Sequence, residues 1–99
     1  MISEEELNEA LQQFMRNPYW RAYYEEAPSE AAKQRVKLCF FWSLTRDEAK
    51  NLKAIEEAKK LEKQYTIADC KHELRYSGNN PGLLYWKKKI EELSQKSAI

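Results

Sequence analysis

Apolar residues recur along this chain at intervals of three and four, the spacing of one face of an α-helix, in segments separated by short polar or proline-bearing breaks. In the first segment Leu7, Leu11, Phe14 and Met15 share a face. Ser3 and Glu6 stand ahead of them at capping-box spacing, with acidic residues filling the first turn. This predicts a helix over 4–16. Asn17-Pro18 stops it and starts another, because Asn17 can cap and Pro18 suits a first turn, where its missing N–H is not needed. That second, short helix carries Tyr19, Trp20, Tyr23 and Tyr24 and breaks at Ala27-Pro28-Ser29.

Ser29 caps a third helix over 30–43. Its first half has one apolar stripe through Ala32, Val36 and Cys39, whereas Leu38 to Trp42 is apolar all round. A helix that changes this way enters from the surface and ends inside the core, so it is expected to be the central helix. Thr45 with Glu48 reads as a second capping box, opening a helix over 46–64 with Ala49, Leu52, Ile55, Ala58, Leu61 and Tyr65 on its face. Thr66 with Asp69 starts a fifth, with Ile67, Cys70 and Leu74 inward, and Gly78 suits a left-handed end to it. Asn80 as cap and Pro81 in the first turn open the last helix, to about residue 95, with Leu83, Trp86, Ile90 and Leu93 buried. The fold class expected is all-α: a compact single-domain bundle of five to six short helices joined by tight turns, with residues 1–99 as one helical domain. Its expected core includes Phe40, Trp42, Ile55, Leu61, Leu74, Trp86 and Ile90.

Composition narrows the function. The 99 residues are 42% hydrophobic and 33% charged, with mean hydropathy −0.87. Net charge is +1 and pI about 7.7, without the basic excess typical of proteins that live on phosphate contacts. Residues 1–49 carry six basic and nine acidic side chains, and 50–99 carry eleven and seven, a modest asymmetry. No apolar run approaches the ~18 residues of a membrane span, and the acidic start does not read as a secretory signal. A cytoplasmic protein is expected, with Cys39 and Cys70 reduced and buried.

Catalytic and metal-binding chemistry find little to stand on. On a helix Cys70 and His72 point about 200° apart, too far to grip one ion or act as a nucleophilic pair, which leaves His72 as a surface histidine beside a core cysteine. Gly78 and Gly82 fit helix boundaries rather than a phosphate loop. No enzyme activity, cofactor or metal is expected.

Two binding readings remain. Tyr19, Trp20, Tyr23 and Tyr24 span an arc of about 140° on a short helix, more than one seam of contact needs. Trp20 and Tyr24, with Arg21 beside them, are the candidate anchor for a protein partner or a second copy of the chain, since Trp, Tyr and Arg dominate such anchors. An accessory or regulatory protein of bacterial type fits this reading. The alternative is DNA binding by residues 66–95, which resemble a helix-turn-helix in outline, with Asn79, Asn80, Tyr85 and Lys88 as candidate contacts. Against it, Leu74 stands where a small residue is expected, and Glu91 and Glu92 share the outward face with Lys88.

Overall fold

In the computed structural model, which describes residues 2–97, six helices follow one another: α1 (Glu4–Phe14), α2 (Pro18–Glu25), α3 (Glu30–Leu44), α4 (Glu48–Glu62), α5 (Ile67–Tyr76) and α6 (Asn80–Ser97). No strand occurs among the described residues, and no helix among them is long and apolar enough to cross a membrane. The radius of gyration is 13.8 Å.

Local side-chain chemistry sets most helix starts. Ser3 and Glu6 form the expected capping box, Asn17 accepts from the Tyr19 amide at 2.9 Å, and Pro18 opens α2. Two starts are tied to each other. The Ser29 hydroxyl accepts from the Ala32 amide at 3.1 Å, capping α3, and donates to Asp69 Oδ1 at 2.8 Å. Asp69 Oδ2 closes the α5 capping box by accepting from the Thr66 amide at 2.9 Å. One buried carboxylate thus serves both helix starts, and these bonds offset the cost of taking it out of water.

Helix α3 is central, as its pattern implied. It packs on α1, α2 and α4, and α5 packs on α6. One apolar cluster joins Leu7 and Ala10 of α1, Tyr23 of α2, Val36, Leu38, Phe40 and Phe41 of α3, and Ala54 and Ala58 of α4. The Phe14 and Phe40 rings stack with centroids 4.3 Å apart. A second cluster, Ala27, Ala32, Tyr65, Cys70 and Trp86, lies where α5 and α6 meet the rest. Within the expected core, Phe40 and Trp86 are buried, while Trp42, Ile55, Leu61, Leu74 and Ile90 are half-buried.

Several local expectations are corrected. Asp47, not Thr45, caps α4, accepting from the Lys50 amide at 3.1 Å. Thr45 is still engaged in ending α3, where its amide bonds the Phe41 carbonyl. The buried seam of α4 runs through Ala54, Ala58 and Glu62, and Leu52 is 61% exposed. Alanines let the α3 and α4 backbones approach, so the helix turns that edge inward rather than its leucine. Gly78 has no left-handed φ, because α5 ends at Tyr76 and leaves through extended Ser77. Asn79, one residue before the expected cap, accepts from the Gly82 amide at 2.9 Å and starts α6, with Pro81 in the first turn.

Candidate functional site

All three tryptophans of the chain, Trp20 of α2, Trp42 of α3 and Trp86 of α6, line one cavity of about 450 Å³. Phe14, Tyr23, Phe40 and Tyr76 complete its aromatic walls. Ser43, Ser77, Asn79 and Gly82 also line it, and Arg35, Cys39 and Glu73 supply its charged and thiol groups. A Cβ at Gly82 would lie 2.2 Å from Ser77 Oγ, so a larger residue there would have to turn that hydroxyl aside.

Arg35 is the centre of a network that joins five helices. Its Nε donates to Glu62 Oε2 of α4 at 3.0 Å, and its Nη1 donates to Glu73 Oε2 of α5 at 2.6 Å and to Cys39 Sγ at 3.3 Å. The Tyr23 hydroxyl of α2 donates to the other Glu73 oxygen at 2.5 Å. From α6, the Tyr85 hydroxyl donates to Glu62 Oε1, and the Lys89 ammonium lies 3.6 Å from the same oxygen. The guanidinium also lies over Trp86 at 5.0 Å and Trp42 at 5.9 Å from the ring centroids. Such contacts favour the cation further.

Burial governs the acidities here. It raises the Glu73 carboxyl above its ordinary range, with Arg35 and the Tyr23 bond pulling the other way. It pushes the Cys39 thiol up to about 12, opposed by Arg35. A thiol so placed is a poor nucleophile near neutral pH. Burial also raises the Tyr23 and Cys70 groups. The Tyr65 hydroxyl, behind Trp86, is buried with no hydrogen-bond partner among the described residues.

His72 corrects the sequence reading most clearly. It is buried, with 7% exposure, and its Nε2 lies 2.7 Å from the Tyr23 carbonyl oxygen. A carbonyl only accepts, so Nε2 carries the proton. Helix α5 is covered on both sides: Cys70 meets the α6 side, in the cluster with Trp86, and His72 stacks on Tyr23 of α2. The 200° between them therefore separates two buried faces, not an inside from an outside. No group of three or more His, Cys, Asp or Glu among the described residues is arranged to hold a metal ion.

The residues singled out as a partner anchor diverge. Trp20 is half-buried, edge-on to Phe14, Tyr19, Tyr23 and Phe40, and lines the cavity. Arg21 is exposed, and its Nε donates to the Met15 carbonyl at 2.9 Å. Tyr24 is half-buried beneath the Lys33 ammonium, 5.6 Å away. Tyr23 faces inward and is buried. Tyr19, one turn earlier, is 49% exposed, with its ring edge-on to Trp20 and Tyr76 and its hydroxyl donating to the Tyr76 carbonyl. Of the alternative DNA contacts, Asn80 and Lys88 are exposed, Asn79 is engaged as a cap, and Tyr85 is bonded to Glu62.

Sequence reasoning missed Arg35, Glu62 and Glu73. The signal was their register. Arg35 lies three residues after Ala32 and four before Cys39, Glu62 four after Ala58, and Glu73 three after Cys70. Each is a charge on an otherwise apolar stripe. No family model matches the chain, and comparison with curated proteins and with solved structures finds no match to it.

Proposed function

We propose that the chain is a small, non-catalytic accessory protein of the cytoplasm that binds a protein partner, or a second copy of itself, through α2. One observation carries the reading. Tyr19 is 49% exposed and sits edge-on, with ring centroids 4.8 Å apart, against Trp20, which lines the cavity from α2. Exposed Arg21 follows directly. Half-covered Tyr and Trp beside Arg are what a partner desolvates most profitably. The groups that would otherwise suggest catalysis are bonded to one another: both Glu73 oxygens are engaged, and the Cys39 thiol is held protonated. This leaves binding as the better-supported role.

The test is a light-scattering mass over a range of concentrations, for self-association, and affinity capture of the partner, each with thermal melting alongside. Trp20→Ala with Tyr24→Ala is expected to abolish association, though Trp20 also packs on Phe14 and Phe40. Tyr19→Ala with Arg21→Glu removes no buried side chain and is expected to weaken association, with the melting temperature lowered only by loss of the surface bonds to Tyr76 and Met15. Association that survives both pairs would remove α2 from the reading. Duplex DNA binding by residues 66–95 has less support, since Asn79 and Tyr85 already hold hydrogen bonds within the chain. It predicts binding that collapses between low and moderate salt, which partner capture through aromatic rings does not.

A further inference from the structure

We propose that the cavity between α2, α3, α5 and α6 binds a small, flat, uncharged ring that carries a hydrogen-bond acceptor, of the chemical class of aromatic amides and nucleobases. The inference concerns the interior of the cavity and does not rest on partner binding by α2.

Size and lining make the first part of the case. About 450 Å³ lies within the range of small-molecule sites, roughly 300–1,000 Å³. Three indoles from three helices present ring surface to it, and flat aromatic ligands gain most from such walls.

The charged groups decide what the ring must carry. Of the donors on Arg35, Nε and Nη1 are taken by Glu62, Glu73 and Cys39, while Nη2 has no hydrogen-bond partner among the described residues. Both Glu73 oxygens already accept a bond, from Tyr23 and from Arg35. Arg35, which lines the cavity, therefore keeps one donor nitrogen without a partner among the described residues, whereas each Glu73 oxygen already accepts a bond. The charge of its lining is balanced: Arg35 faces Glu73 at 2.6 Å. A cationic ligand meets the guanidinium and an anionic one meets Glu73, side chains only 12% and 2% exposed, where repulsion is weakly screened. An uncharged acceptor satisfies Nη2 and leaves the ion network intact.

Four probes that share one ring and differ in the attached group test this: benzamide, benzoate, phenyltrimethylammonium and toluene. Each is titrated into the ¹⁵N-labelled full-length chain, and the three indole N–H resonances are followed. Benzamide is expected to shift all three saturably and to bind about tenfold tighter than toluene, the worth of one hydrogen bond to a charged donor, and tighter than either ion. Ser43, exposed and lining the cavity, allows a blocking variant: Ser43→Phe is expected to keep the melting temperature and lose benzamide binding. The proposal is overturned by indole resonances that none of the probes shifts, by a charged probe or toluene that binds as tightly as benzamide, or by undiminished binding to a folded Ser43→Phe chain. The ranking of probes on the wild-type chain decides the matter even where that variant fails to fold.

Discussion

The imidazole of His72 and the phenol of Tyr23 lie stacked, with centroids 5.3 Å apart and planes 18° from parallel, and His72 Nε2 donates to the Tyr23 carbonyl at 2.7 Å. One residue is thus joined to the other through ring and backbone at once, fixing α5 to α2. The arrangement takes the neutral ring. Burial holds the His72 pKa below its ordinary 6.5, although the carbonyl bond favours the cation.

A pH dependence follows from that sign. The unfolded chain binds the proton more readily than the folded one, so stability tied to His72 is complete above pH 6.5 and is lost as pH falls through the depressed folded value. Thermal melts stepped downward from pH 6.5 are expected to show this loss. His72→Gln, which keeps an N–H donor but does not titrate, is expected to flatten that part of the profile. Parallel profiles for the two proteins would count against a neutral buried ring.

Arg35 holds two carboxylates whose side chains are 5% and 2% exposed. Arg35→Met leaves Glu73 without a cation and Glu62 with Lys89 alone, and is expected to cost roughly 3–5 kcal/mol in urea denaturation. Adding Glu73→Gln to that variant is expected to restore part of the loss, since it removes one stranded charge. The pair is in contact, so the two effects should be clearly non-additive. Simple addition would mean that Arg35 and Glu73 do not act as a unit.

The Tyr65 hydroxyl contributes nothing to the ion network beside it. It is buried with no hydrogen-bond partner among the described residues, a condition that costs about 1–3 kcal/mol. Tyr65→Phe keeps the stack on Trp86 and removes the stranded group, so the melting temperature is expected to hold or rise. A fall of several degrees would show that the hydroxyl has a bonding partner after all.

Both thiols should be slow. Cys70 has no exposed surface, and the half-buried Cys39 has its thiol pKa pushed up to about 12. Labelling by an aromatic disulfide reagent near pH 8 is expected to be far slower in the native chain than in denaturant. Rapid native labelling would place one of them in an open, ionisable setting.

Helix starts were legible in the sequence because capping is local. Ser3, Asn17, Ser29 and Thr66 act where their spacing put them. The shifts at Thr45 and Asn80 arose where two elements compete for one short link, and a cap motif does not say which of them wins. Leu52 and His72 misled for another reason. Helical periodicity assumes one buried face, but α4 turns its alanines inward to approach α3, and α5 is covered on two sides. The cavity was the least legible feature. Trp20, Trp42 and Trp86 are 22 and 44 residues apart in sequence, and nothing local records that they converge. The charges of the ion network were visible by register, yet an arginine on an apolar stripe acquires meaning only when its carboxylates are known.

The way α5 and α6 join the rest of the molecule has a kinetic consequence. Helix α3 lies close along α1, α2 and α4, whereas the last two helices pack on each other and meet the others through the smaller cluster around Trp86, the His72–Tyr23 stack and the Arg35 network. Regions held by few close backbone approaches open at lower free energy than those around a continuous core. Amide protons of α5 and α6 should therefore exchange with solvent as one cooperative unit, ahead of those in the middle of α3. Each such excursion would part Trp86 from Trp42, so the same rare opening that frees the amides would also set how fast anything enters or leaves the space between them.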